Sequence, residues 1–131
     1  MRDGAMIAAL VLALSGIAAA TGRDDFLLKD TQDLVDLCTV GAKEDLNQEA
    51  IHFCQGFAVG VYRTIVAVTT DRGRKPIFCP PDPLLTRDAA IQAFVDWSRG
   101  NPDVLSKNPV DGLTQFMVTK WPCAKPKAAK E

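Results

Sequence analysis

The chain has 131 residues, 47% hydrophobic and 24% charged, with fifteen Lys and Arg against sixteen Asp and Glu and so a net charge of −1. That length fits one domain with a real core, and the apolar content excludes a wholly disordered chain. The near-neutral balance argues against a nucleic-acid partner, and one His with four Cys and no Cys-x-x-Cys excludes the common zinc frameworks, so no metal and no cofactor is expected.

Residues 1–20 read as a secretory signal. Arg2 precedes an apolar run from Ala5 to Ala20, and Ala18-Ala19-Ala20 supplies the small residues of a cleavage site. The run is shorter than the ~20 residues that span a bilayer. Cleavage after Ala20 leaves a single domain over 21–131, exported and outside any membrane. In an oxidising compartment four cysteines in so short a chain predict two disulfides.

Four helices and no strand follow, an all-α, up-down four-helix bundle. The first spans about Thr31 to Val40, capped by Asp30 or Thr31, with Leu34, Val35, Leu37 and Cys38 as its apolar stripe and Gly41 at its end. The second and longest spans about Asn47 to Thr69, with capping-box spacing at Asp45–Gln48. Its apolar residues, from Ile51 and Phe53 to Ile65 and Val68, cover most of the circumference, the pattern of a central helix packed on several sides. His52, Gln55 and Arg63 argue against its spanning a membrane. A third helix starts from Thr86 as cap and runs to about Ser98, with Ala90, Ile91, Phe94 and Val95 as its buried face. The fourth opens on the cap Asn108 and Pro109 and ends before Pro122.

Between the second and third helices, Asp71–Leu85 is a loop, because four prolines within eight residues forbid a helix. A short antiparallel hairpin brings Cys38, closing the first helix, to Cys54 near the start of the second. Helices running down and back up return Cys123 to the end where Cys79 lies. The expected pairs are therefore Cys38–Cys54 and Cys79–Cys123, one of three connectivities.

Enzyme chemistry finds little support. His52 is the only imidazole and reads as structural, no Ser sits in a Gly-x-Ser-x-Gly elbow, and paired carboxylates such as Asp33/Asp36 read as solvated surface; no catalytic residue is assigned. Gly56 and Gly60, four apart on the long helix, read first as tight internal packing and second as a homodimer seam. Arg72, Gly73, Arg74 and Lys75 form a basic loop tip, either a solubilising turn or a contact for a carboxylate-bearing partner. Residues 21–49 carry three basic and eight acidic side chains, a net of −5, against +4 for residues 50–131. A solvated first helix is the simplest reading of that acidity, and steering of a partner the other.

The segments Phe53-Cys54-Gln55-Gly56-Phe57 and Gly60-Val61-Tyr62, Phe78-Cys79-Pro80-Pro81 before the cap Thr86, Asn101-Pro102, and Trp121-Pro122-Cys123 together resemble the Rap/Tai family of immunity proteins, over about residues 34–123. The resemblance implies a small, exported, helical binding protein, and the missing catalytic set leads to the same expectation that it is not an enzyme. It implies a partner too: a peptidoglycan amidase effector of type VI secretion, whose active-site cleft such proteins occlude in the periplasm, often as homodimers. The fold is also related to a periplasmic acid-stress chaperone, so a holdase is the alternative function. Insertion into an effector cleft would depend on the loop after the second helix, which here is short and basic, and Arg72, Gly73, Arg74 and Lys75 are the expected partner-binding residues. The connection Gly100–Asn108 is the second candidate.

Overall fold

A computed structural model describes residues 21–125. The expected signal segment and its cleavage point, residues 1–20, lie outside these residues, as do Lys127, Lys130 and Glu131. Four α-helices are present, α1 (Thr31–Cys38), α2 (Asn47–Asp71), α3 (Arg87–Gly100) and α4 (Pro109–Lys120), with short 3-10 turns at Arg23–Leu27 and Pro102–Val104 and no strand among the described residues. The fold is all-α, and both expected disulfides are formed: Cys38–Cys54 with Cα atoms 5.3 Å apart and Cys79–Cys123 at 4.8 Å.

The caps explain where the helices begin. Asp30 Oδ1 accepts from Asp33 N at 3.0 Å, Thr86 Oγ1 from Ala89 N at 3.2 Å, and Asn108 Oδ1 from Val110 N at 2.9 Å. Pro109 occupies the first position of α4, where its missing N–H is not needed. The capping box expected at Asp45–Gln48 is not formed. The residue that flanks α2 is Leu46, without a side-chain cap. Asp45 thus lies one position too early, and Asn47 instead donates its side-chain amide to the carbonyls of Val40 and Gly41.

The centre of the fold is α1, not α2. Of its eight residues, Thr31, Asp33, Leu34, Val35, Leu37 and Cys38 are buried. Leu34 and Leu37 are wholly enclosed and join Phe94 and Val95 of α3 and Leu113, Phe116 and Met117 of α4 in one core. Burying such a side chain contributes about 1.5–3 kcal/mol. Phe116 anchors an aromatic cluster, its ring 5.6 Å from Phe94, 5.7 Å from Trp97 and 5.4 Å from Trp121. Because α1 is buried, a solvated first helix does not account for the acidity of residues 21–49. The exposed carboxylates of that segment are Asp24 before α1, then Glu44, Asp45 and Glu49 after it.

The central position expected for α2 is corrected accordingly. Only Ala50, Cys54 and Val61 of its 25 residues are buried, although its mean hydropathy reaches 1.3 over eighteen residues. A helix that is apolar all round has the same sequence whether its own chain covers it or a partner does. Gly56 and Gly60 face open space, with nothing beyond the neighbouring backbone of their own helix within 4 Å of where a Cβ would stand, so tight internal packing is not their role.

Candidate functional site

The basic tip follows directly from the way α2 stops. Gly73 adopts φ +60°, a left-handed conformation that glycine enters without steric cost. Gly73 N donates to Thr70 O at 3.1 Å and Arg74 N to Thr69 O at 2.9 Å. This pair of bonds is a Schellman motif, which satisfies the last carbonyls of the helix. Arg72, Arg74 and Lys75 therefore stand at the negative end of the longest helix dipole in the molecule, where cations are favoured. All three are exposed, and none forms an ion pair with another described residue.

The far side of the tip is fixed. Phe78 is 4% exposed, its ring 5.8 Å from that of Tyr62 on α2. Cys79 N donates to Trp121 O at 2.7 Å, and the Cys79–Cys123 bridge ties the same point to the end of α4. Cys123 Sγ lies 3.6 Å from Pro76 O. This is a packing contact, since a disulfide sulfur carries no proton to donate. The segment from Arg72 to Ile77 is thus held between a helix stop and a covalent anchor, with its cations directed to solvent.

The second connection, Gly100–Asn108, serves a different purpose. Its carbonyls receive the free N–H groups at the start of α1, Thr31 N to Lys107 O at 2.8 Å and Gln32 N to Leu105 O at 2.9 Å, and Val104 is buried. The backbone of this loop is thereby held against the start of α1, while the side chains of Pro102, Asp103, Ser106 and Lys107 remain exposed.

His52 is exposed on α2 and makes no hydrogen bond among the described residues, so it is a surface residue rather than a satisfied structural one. No cluster of three metal-ligating side chains occurs among the described residues. Around the start of α1 the electrostatics are local. Asp33, almost fully buried, accepts from Lys29 N at 2.8 Å and faces Lys29 Nζ at 3.1 Å. The hydrogen bond to Asp33 raises the Lys29 ammonium above its ordinary value. Burial pushes the Asp36 carboxyl up, against the hydrogen bond it accepts from Gln32 Nε2 at 2.7 Å.

Sequence reasoning missed one feature. An apolar groove of about 340 Å³ lies between α2, α3, α4 and the Pro80–Leu85 stretch, with Arg63 and Arg87 in its lining. Leu84 and Leu85 at its edge are 63% and 44% exposed. The only signal was two adjacent leucines in a proline-rich loop.

Comparison with known families matches residues 30–123 to the model of the Rap1a immunity proteins. Neither the curated proteins nor the solved structures return a match. The match covers most of the chain, from the cap of α1 to the last cysteine, and the chain belongs to the Rap1a immunity protein family.

Proposed function

We propose that this chain is a periplasmic immunity protein that binds a peptidoglycan amidase effector of type VI secretion and occludes its active-site cleft with the Arg72–Lys75 tip. Family membership supports an immunity role through a cognate effector. The observation that supports the finer reading is the anchored tip: three cations, unpaired among the described residues, on a loop closed by the Cys79–Cys123 bridge. A plug held in shape before contact loses little entropy on binding. Guanidinium groups donate to carboxylates and carbonyl oxygens in a planar fork. Two disulfides and the apolar run of residues 1–20 agree with export to the periplasm.

The exposed face of α2 supports a homodimer within the same reading. Gly56 and Gly60 leave a shallow strip on which a second copy of the helix can lie close, with Phe53 and Val66 exposed nearby. The holdase alternative draws on that same exposed apolar surface, and the pH of action separates the two.

The test is reconstitution. Protein captured by the chain from the periplasm of competing cells should cleave peptidoglycan peptide bonds at neutral pH. That activity should fall to background at one equivalent of the chain. A captured partner without peptidoglycan amidase activity, or one left active by excess chain, overturns the reading. Suppression of client aggregation only in acid would assign the holdase role.

A further inference from the structure

The groove beside α2 carries chemistry that the basic tip does not. Its lining is mostly apolar and includes Tyr62 of α2, Ile91 and Phe94 of α3 and Phe116 of α4. The lining includes two cations, Arg63 of α2 and Arg87 of α3, neither paired with a carboxylate among the described residues. The nearest carboxylate in sequence, Asp88, is engaged by Gln55 Nε2 at 2.9 Å. An apolar cavity of this size with a few directed polar groups is the usual form of a recognition pocket.

We propose that this groove docks a short segment of the effector in which a large apolar side chain is flanked by carboxylates. The inference rests on the effector-binding reading and adds a second contact to it. The apolar side chain fills the cavity over Phe94, and the flanking carboxylates meet Arg63 and Arg87. Covering Leu84 and Leu85 excludes water from those ion pairs, which strengthens them. A polypeptide fits better than a free acyl chain because the two arginines stand on different helices, Arg63 on α2 and Arg87 on α3, and a fatty acid carries only one carboxylate to meet them.

The experiment titrates blocked peptides into the 15N-labelled protein and follows its amide spectrum. The acidic probe is acetyl-Ser-Glu-Trp-Glu-Ser-amide. One control replaces both Glu with Lys and the other replaces Trp with Ala. The acidic probe should shift Tyr62, Leu85 and Ile91 saturably. The Lys control should bind at least about tenfold more weakly, in keeping with the worth of charge-assisted hydrogen bonds, and the Ala control should not saturate. Arg63→Gln/Arg87→Gln should weaken the acidic probe by a similar factor while leaving the core resonances in place. No saturable shift at the groove, or equal affinity for both charges, overturns the proposal. Tighter binding of sodium decanoate than of the acidic peptide also overturns it, assigning the groove to an amphiphile. None of these outcomes depends on the effector, so loss of the groove would leave amidase inhibition to be judged by reconstitution.

Discussion

Gly112 of α4 and Thr31 of α1 share a space that admits only one side chain. A Cβ at Gly112 would stand 2.7 Å from Thr31 Cγ2 and closer still to its Oγ1. Thr31 has no room to move away. It is fully buried, and its hydroxyl donates to Lys107 O at 2.9 Å while its amide donates to the same carbonyl. This contact lets the short helix α1 sit at the centre of the fold.

Gly112→Ala is therefore expected to destabilise the protein by about 1–3 kcal/mol, the range for an overpacked core. That corresponds to roughly 4–8 °C in Tm per kcal/mol for a domain of this size. The check is a double-mutant cycle by thermal unfolding. Thr31→Ala alone loses a hydrogen bond, yet in the Gly112→Ala background it should recover part of the loss. Strict additivity would place the strain elsewhere.

Removing the exposed bridge by Cys79→Ser/Cys123→Ser should lower stability by about 4 kcal/mol in the chain-entropy account, against about 3 kcal/mol for the Cys38–Cys54 bridge. The difference follows from sequence separations of 44 and 16 residues. The functional consequence is sharper. The Arg72–Ile77 segment loses its anchor, so effector affinity should fall even where the protein stays folded. Denaturant unfolding and calorimetry on the same variant report the two effects separately.

The four helices were legible in the sequence because they rest on local rules, and the cysteine pairing because it follows from the directions in which successive helices run. Asp30, Thr86, Asn108 and Pro109 mark helix starts through their own side chains or ring. A hairpin leaves Cys38 few places to go but Cys54. What was not legible depends on which face meets what. Leu34 and Leu37 carry no mark that their eight-residue helix is central. The apolar residues of α2 read as core because periodicity does not distinguish an apolar face that the chain leaves exposed from one that it buries. The Arg72–Lys75 tip was readable as charge, but its fixed shape depends on the Gly73 turn and on the bond from Cys79 N to Trp121 O. The groove draws its arginines from α2 and α3, and no linear motif joins Arg63 to Arg87.

Asp36 gives a pH prediction with a definite sign. Burial raises its folded-state value above the ordinary 3.8, helped by Asp25, Asp33 and Asp30 and opposed by the hydrogen bond from Gln32. A carboxyl raised on folding favours the folded state in its protonated form. Its contribution is fully present below the unfolded value and is lost as pH rises through the folded one. Asp36→Asn, which keeps an acceptor for Gln32, should raise Tm at pH 7 relative to the parent protein. The gain should vanish below the ordinary carboxylate value. Thermal scans across that range check it, and a gain that grows in acid would contradict the sign.

In the proposed complex the anchored basic tip enters the effector's cleft. The most direct measurement is titration calorimetry of Arg72→Ala/Arg74→Ala against the captured amidase, beside the parent protein. A true hot spot costs at least about 2 kcal/mol, or roughly thirty-fold in Kd, and the amidase should recover activity in the same proportion. Both side chains are exposed and unpaired among the described residues, so the variant should stay folded, with Tm lowered only slightly by the loss of two favourable helix-end charges. An unchanged Kd in a folded variant would contradict the account and move the interface to the exposed face of α2 or to the groove.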